Sequence, residues 1–279
     1  MGGGKMKIQL FQIEIIEGEV EQNEGRIKAL FEEKLEADTE IVVIPEMWNN
    51  GYDLQHLAGK ADIDLTRSLP FIQSLATKHH VDIIAGSVSN KRDNNIYNTA
   101  FSVSKTGELL YQKDKIHLVP MLDEHQYLTG GDEVPEVFEI NGIKASQIIC
   151  YDLRFPELTR YPASQGAKII FYVAQWTTKN VNHWRTLLKA RAIENGVYVI
   201  ACNSVGAVNN KNHVGNTYAG HSIVIDPNGN IVEEAGNQEA IITAEIDIQK
   251  VAEQQQNIPI FENLRPDVYK YAEYKLGRR

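Results

Sequence analysis

The chain contains 279 residues, of which 43% are hydrophobic and 23% charged, the composition of an ordinary water-soluble globular protein. Its formal net charge of −9 argues against nucleic acid or an anionic membrane surface as the main partner. The longest apolar stretch, residues 169–176, is far shorter than the ~18 residues that a membrane-crossing helix needs. Two cysteines are too few for a disulfide framework, so we expect a cytoplasmic protein with free thiols.

Apolar periodicity predicts strands and helices that alternate along the chain. In chain order, the predicted strands are residues 8–13, 41–44, 81–88, 98–104, 108–112, 137–140, 143–149, 169–173, 197–202, 222–225, 231–234 and 240–246. The predicted helices are residues 22–35, 65–79, 157–165 and 181–195, with a helical tail from residue 247 that is broken at Pro259 and Pro266. Hairpin turns are indicated at residues 105–107 and at the Asn-Gly pair 141–142.

This mixture of alternating elements and hairpins is typical of layered α/β architecture. Two open sheets with helices on the outside would accommodate all of the predicted elements. We therefore expect one domain over residues 6–279. Residues 1–5, which precede the first apolar run, are expected to be a loose tail or a remnant of expression cloning.

Several common site motifs are missing from the sequence. We find no glycine-rich phosphate loop and no dinucleotide-binding fingerprint. Neither a His-Glu-x-x-His motif nor a close pair of cysteines occurs, so a zinc site has little support.

Three reactive side chains follow predicted strands directly. Glu46 follows the strand at 41–44, Lys115 lies just beyond the strand at 108–112, and Cys150 follows the strand at 143–149. Ligands of open α/β sheets bind at the carboxyl ends of strands, so the three side chains are candidates for one site. Each also has a plain structural interpretation, as a solvated loop acid, a surface ammonium group and a small packed thiol.

The local sequences around these residues favour the functional interpretation. They are IPEMW at 44–48, KDKIHL at 113–118 and ICYDLRFPE at 149–157. In this order the three blocks resemble those of the nitrilase superfamily of carbon–nitrogen hydrolases, and the resemblance extends over about residues 6–260. It implies a four-layer α-β-β-α sandwich that assembles as a homodimer or a larger homo-oligomer.

The resemblance also implies roles for particular residues. It places Glu46, Lys115 and Cys150 in one pocket, and it assigns a second catalytic glutamate to Glu124, in the loop at 123–132. Within the superfamily, that loop and the cysteine block are similar to those of omega-amidases, which hydrolyse the terminal amide of 2-oxoglutaramate or 2-oxosuccinamate. One departure is Gln175, where many relatives have asparagine.

Other functions remain open at this point. Another small amide, such as deaminated glutathione or an N-carbamoyl compound, could be the substrate, and a nitrile is less favoured. The chain could also be a glutaminase-type partner of a separate synthetase. From a different class, it could be a non-catalytic assembly module, but the presence of all four candidate catalytic residues argues against that interpretation.

The residue types suggest a mechanism that needs neither a metal nor an organic cofactor. A thiol is mostly protonated at neutral pH and needs a base, which Glu46 can supply in a closed, largely apolar pocket. Lys115 and the backbone N–H of Tyr151 are expected to stabilise the oxyanion, because loss of one such donor typically costs about 3–4 kcal/mol. Glu124 is expected to hold Lys115 in place and to orient substrate and water.

The remaining candidates have more than one interpretation. Arg154 either pairs with a buried acid and braces the cysteine turn, or it binds a substrate carboxylate. Tyr52 either donates a hydrogen bond near Glu46 or simply packs, and Trp176 is expected to line the pocket. We expect structural roles for Asp152, Arg191, Glu194 and Cys202.

Overall fold

The computed structural model describes residues 5–208 and 216–268. Its strands are β1 (Met6–Gln12), β2 (Ile41–Val43), β3 (Asp62–Ile63), β4 (Asp82–Arg92), β5 (Asn95–Val103), β6 (Leu109–Asp114), β7 (Phe138–Ile140), β8 (Ile143–Ile149), β9 (Ile169–Ala174), β10 (Tyr198–Asn203), β11 (Ile223–Ile225), β12 (Ile231–Glu234) and β13 (Ala240–Ile246). The helices are α1 (Val20–Glu33), α2 (Leu57–Lys60), α3 (Ser68–His79), α4 (Glu157–Ser164), α5 (Val181–Asn195) and α6 (Gln249–Asn257).

The strands form two sheets. The first has the order β13-β1-β2-β4-β5-β6, with β3 paired to β4, and the second has the order β12-β11-β10-β9-β8-β7. The centre of each sheet is parallel, with β1-β2-β4 in the first and β8-β9-β10 in the second, and antiparallel strands complete the edges. Two candidate site residues follow the carboxyl ends of parallel strands: Glu46 lies beyond β2 and Cys150 beyond β8.

Alternation of side chains along the first sheet separates two apolar layers. Leu10 belongs to the core shared with the second sheet, whereas its neighbour Phe11 belongs to the layer under α1 and α3. Within that outer layer, Ile27 of α1 and Ile72 of α3 are fully buried. Such alternation is what a sheet covered on both faces requires.

The second sheet is covered by α4 and α5. On α5, Trp184 and Leu188 are fully buried in the same core as the strands, and the helix ends at Gly196, which has the left-handed φ of 59°. The layers are therefore helix, sheet, sheet and helix, which confirms the four-layer α-β-β-α sandwich expected from the sequence.

The expected tail helix is present in part. It forms α6, followed after Pro259 by a single 3-10 turn at Phe261–Asn263, while residues 269–279 lie outside the described residues. Of the expected amino-terminal tail, residues 1–4 lie outside the described residues as well. Within the described ranges, no helix is both long enough and apolar enough to cross a membrane.

Candidate active site

Three strand ends bring the main candidates together. Glu46 lies three residues beyond β2, Lys115 follows β6 directly, and Cys150 follows β8 directly. The backbone N–H of Lys115 still donates to Asn98 O on β5 at 2.8 Å, so the sheet itself fixes the start of the lysine side chain. Lys115 and Glu46 are completely buried, and Cys150 is almost so.

The ammonium group of Lys115 lies between two carboxylates. Its Nζ donates to Glu46 Oε1 at 3.1 Å, to Glu124 Oε1 at 2.9 Å and to the Tyr52 hydroxyl oxygen at 3.2 Å. An ammonium group has three N–H donors, so each has an acceptor here. The structure thus brings Glu124 into the same cluster, as the resemblance implies.

The carboxylate of Glu46 is held by several donors. Oε1 accepts hydrogen bonds from the Tyr52 hydroxyl at 2.6 Å and from Asn98 Nδ2 at 2.8 Å, in addition to Lys115. Oε2 accepts from the backbone N–H of Gln175 at 2.8 Å. These contacts fix the carboxylate in one orientation, and they show that Tyr52 bonds to Glu46 rather than only packing against its neighbours.

Cys150 occupies a strained backbone position. Its φ is 42°, in the left-handed region that residues with a Cβ rarely adopt, and it begins a 3-10 turn over Cys150–Arg154. Such strain persists only where the surroundings impose it, and it is concentrated at functional sites. The turn directs the chain away from β8 immediately after the cysteine.

Burial and charge set the protonation of the cluster. Burial raises the pKa of the Cys150 thiol well above its ordinary value, and the carboxylate of Glu46 raises it further, while Lys115 opposes both effects. Burial alone would lower the pKa of Lys115, but the charges of Glu124 and Glu46 outweigh it and raise the pKa well above its usual range. Burial also raises the pKa of Glu124. The resting cluster therefore holds a neutral thiol beside a charged ammonium group.

Asp152 and Arg191 brace the cysteine turn. Asp152 accepts hydrogen bonds from the backbone N–H groups of Ile116 at 3.1 Å and His117 at 2.9 Å, which ties the turn to the segment that carries the lysine. Arg191 Nη2 donates to Leu153 O at 2.7 Å from the far side. These contacts give Asp152 the ordering role that the sequence suggested.

Arg154 corrects one expectation. It forms no ion pair with any acid in residues 5–208 and 216–268, so the predicted pairing with a buried acid is wrong. Instead its guanidinium lies 4.6 Å from the centre of the Trp176 ring and donates a weak hydrogen bond to His183 Nδ1 at 3.4 Å. Arg191 rather than Arg154 braces the cysteine turn, because the side chain of Arg191 points inward from α5, whereas Arg154 points toward a pocket.

The pocket above the cysteine has a volume of about 140 Å³. It is lined by Val119, Met121, Leu122, Cys150, Tyr151, Arg154, Gln175, Trp176, Thr177, Lys179, Asn180 and Asn216. Trp176 thus lines the pocket, as the sequence predicted, and Tyr151, whose backbone N–H is the expected oxyanion donor, belongs to the same lining. Sequence reasoning missed Lys179, which stands in a short 3-10 turn with no recognisable motif, and it missed the contact between Asn98 and Glu46.

Comparisons with known proteins agree with this geometry. The family described as carbon-nitrogen hydrolase matches residues 7–256, so the chain belongs to that family. A Staphylococcus aureus protein named "Hydrolase in agr operon" is 53% identical, over 95% of this chain and 100% of its own length. A Bacillus subtilis 2-oxoglutaramate amidase is 40% identical, again over 95% and 100%.

A solved structure gives the same result for the fold. Saccharomyces cerevisiae Nit3, described as a member of branch 10 of the nitrilase superfamily, superposes with a TM-score of 0.80 at 31% identity, covering 92% of this chain and 95% of that one. The protein is therefore a nitrilase-superfamily amidase, a hydrolase acting on carbon–nitrogen bonds other than peptide bonds.

Proposed function

We propose that the protein hydrolyses the terminal amide of a small carboxylate-bearing acid through a thioester on Cys150, with release of ammonia. The observation that carries this proposal is the buried ammonium group of Lys115, held between Glu46 and Glu124 beside the thiol. Glu46, Glu124 and Lys115 are fully buried, and Cys150 is the member of the cluster that lines the pocket. Together they are the groups that amide cleavage needs.

In the first half-reaction the Cys150 sulfur attacks the amide carbon. The thiol proton passes to Glu46, and a carbon–sulfur bond forms as the carbonyl oxygen becomes an oxyanion. Glu46 then gives the proton to the amide nitrogen, the carbon–nitrogen bond breaks, and ammonia leaves. The carboxylate of Glu46 lies close enough to the Cys150 thiol to raise its pKa, and this proximity supports the proton path.

In the second half-reaction water attacks the thioester carbon. Glu46 accepts a proton from the water and returns it to the sulfur as the carbon–sulfur bond breaks, which releases the acid and restores the thiol. The net change is amide plus water giving carboxylic acid plus ammonia. Glu46 carries the proton in both half-reactions, while Lys115 and Glu124 keep their protonation states.

Lys115 and the backbone N–H of Tyr151 stabilise the oxyanion of each tetrahedral intermediate. A fixed cation in a site shielded from water acts without reorganisation, which makes such groups the largest single contribution in many enzymes. Glu124 positions Lys115 through the 2.9 Å bond, and its other oxygen, Oε2, accepts from the backbone N–H of Val119 at 2.9 Å.

Two cations at the pocket support a substrate that carries a carboxylate. Arg154 presents a planar guanidinium braced on the Trp176 ring, a geometry suited to bidentate binding of a carboxylate, and Lys179 adds a second positive charge. With the 40% identical 2-oxoglutaramate amidase, this favours 2-oxoglutaramate or 2-oxosuccinamate as substrates. Deaminated glutathione and N-carbamoyl compounds also carry carboxylates and are the competing candidates.

The protein is further proposed to act as a homodimer in the cytoplasm, with residues 6–279 as one domain. The apolar side chains of Tyr161 and Ile193, on the outer faces of α4 and α5, are about half exposed. Such a surface is what pairing of these helices across a two-fold axis would cover. Sedimentation analysis tests the dimer directly.

The test of the function is ammonia release across a panel of 2-oxo acid amides, deaminated glutathione and N-carbamoyl compounds. We expect turnover of 2-oxoglutaramate or 2-oxosuccinamate by the wild-type protein and none by Cys150→Ala. Turnover confined to another amide would overturn the omega-amidase assignment alone. Equal activity of Cys150→Ala would overturn the cysteine mechanism, and no activity on any amide would favour a non-catalytic module.

A further inference from the structure

Gln175 bonds to Glu46 at two places. It directly follows β9 and is only 3% exposed. Its backbone N–H donates to Glu46 Oε2 at 2.8 Å, and its side-chain Nε2 donates to the backbone oxygen of Glu46, also at 2.8 Å. The main chain and the side chain of Gln175 are therefore each bonded to Glu46, and the bond from Nε2 restricts rotation of the side-chain amide.

These bonds determine which atom of the Gln175 side-chain amide has no hydrogen-bond partner. A backbone carbonyl oxygen can only accept, so the side-chain atom facing Glu46 O has to be the nitrogen. The side-chain oxygen Oε1 is then buried, and it has no partner among the residues that the structure describes. A buried acceptor without a donor is costly, and such groups in native proteins usually meet a ligand or a water molecule.

The position of this oxygen distinguishes it from other buried groups. Nine side chains in the described ranges contain a buried polar atom without a hydrogen-bond partner, although Arg185 Nε lies 2.7 Å from Glu234 Oε1 in an ion pair. Of the nine, only Gln175 also lines the pocket that contains Cys150. Asn98 provides the contrast. It also donates to Glu46 and keeps an unpaired oxygen, but it does not line that pocket.

We propose that Gln175 Oε1 accepts a hydrogen bond from the NH₂ group of the substrate amide and thereby favours amides over esters. This inference rests on the proposed function. A primary amide has two N–H bonds and an ester of the same acid has none, so only the amide can satisfy this acceptor. Gln175 is thus a specificity-determining residue that contacts the leaving nitrogen, which is released as ammonia.

The experiment compares two substrates that form the same thioester, 2-oxoglutaramate and the 5-methyl ester of 2-oxoglutarate. Because kcat/KM reports the steps up to acylation, the amide-to-ester ratio isolates the leaving group. Gln175→Met, which keeps the length of the side chain, is expected to lower kcat/KM for the amide about tenfold and to leave the ester within about twofold.

A matched control measures how kcat/KM changes when only the hydrogen bonding of Glu46 is disturbed. Tyr52→Phe removes a donor to Glu46 without touching the leaving nitrogen, so it should lower both substrates alike. A second variant keeps the inference testable if Gln175→Met fails to fold. In Gln175→Glu the new carboxyl group is expected to be protonated, because it lies beside the carboxylate of Glu46. Its O–H can then donate to the same backbone oxygen, and its carbonyl oxygen can accept from the substrate. The amide-to-ester ratio of kcat/KM should therefore equal that of the wild type.

Three results would overturn the inference. They are an equal loss of amide and ester turnover in Gln175→Met, no change in either, or loss of the amide-to-ester ratio in Gln175→Glu. Failure of the proposed function is recognised separately, because Cys150→Ala would then continue to hydrolyse the amide whatever residue 175 is.

Discussion

Lys115 Nζ lies 3.1 Å from Glu46 Oε1, although 69 residues separate the two in sequence and neither side chain reaches solvent. A buried ion pair loses hydration, so the attraction between its members gives little net stability by itself. Here Glu124 supplies a second carboxylate, and the ammonium group stays charged beside Cys150. That fixed charge is the basis of the account of catalysis.

Removal of the ammonium group should destabilise the fold as well as abolish activity. Lys115→Met leaves the carboxylates of Glu46 and Glu124 buried against each other without a counter-charge. We expect a loss of about 3–5 kcal/mol in the free energy of unfolding, measured by urea denaturation. The control is Lys78→Met, which breaks an exposed pair with Glu32 and should leave the midpoint nearly unchanged. Equal midpoints for Lys115→Met and wild type would contradict the buried ion cluster.

Arg154 should control affinity for the substrate carboxylate. Arg154→Met is expected to reduce kcat/KM for 2-oxosuccinamate about 10- to 100-fold, the range for a lost hydrogen bond to a charged group, while a neutral amide such as butyramide changes little. Arg160→Met is the matched control, because Arg160 packs near the Phe261 ring rather than at the pocket. A similar loss for the charged and the neutral amide would assign Arg154 a structural role instead.

Glu46, Lys115 and Cys150 each lie just beyond a predicted strand, and the resemblance to the nitrilase superfamily predicted that they converge. Strand position alone does not predict this, because β2 and β6 belong to the first sheet and β8 to the second. The roles of Arg154 and Arg191 could not be separated in this way. Which arginine braces the turn depends on how α5 lies against the cysteine turn, and no local pattern encodes that packing.

Short elements were also beyond sequence reasoning. The segment between β2 and α3 contains a 3-10 turn, the four-residue helix α2 and the two-residue strand β3. Periodicity needs several turns of helix or several alternating residues to be recognised, so none of these elements gives a signal. The contacts of Gln175 were missed for another reason, since hydrogen bonds across 129 residues depend on the packing of two sheets.

Alkaline pH should destabilise the protein through its buried thiols. Burial raises the pKa of Cys150 and of Cys202, so between about pH 8.5 and the raised values the unfolded chain has lost protons that the folded chain retains. The contribution of these thiols to the free energy of unfolding is therefore constant below the pKa of the thiol in the unfolded chain, and it falls as the pH rises above that value. Cys202, whose raised pKa lies above this window, contributes a slope of about 1.4 kcal/mol per pH unit between pH 9.5 and 10.5.

The variant Cys202→Ala tests that slope. Of the two buried thiols, it removes the one that lies outside the proposed site. The fall in the free energy of unfolding with rising pH should therefore be shallower by about 1.4 kcal/mol per pH unit. Urea denaturation at three pH values measures the difference. Identical slopes for wild type and Cys202→Ala would show that this thiol ionises as easily in the folded chain as in the unfolded one.

The two thiols should differ in their accessibility. Cys150 lines the pocket, whereas Cys202 is fully buried and donates to Phe11 O at 3.4 Å. A small alkylating agent is expected to modify Cys150 first, with loss of activity in parallel, and substrate should slow the reaction. Cys150→Ala should label slowly under the same conditions. Faster labelling at Cys202 would contradict the placement of the reactive thiol.

The most direct test of the mechanism is detection of the acyl group on Cys150. Protein is quenched with acid during turnover of the 5-methyl ester of 2-oxoglutarate, and the peptide containing Cys150 is analysed by mass spectrometry. We predict a mass increase equal to the substrate minus methanol on that cysteine, absent in Cys150→Ala. An unmodified Cys150 peptide, together with undiminished ammonia release from 2-oxoglutaramate by Cys150→Ala, would contradict the account.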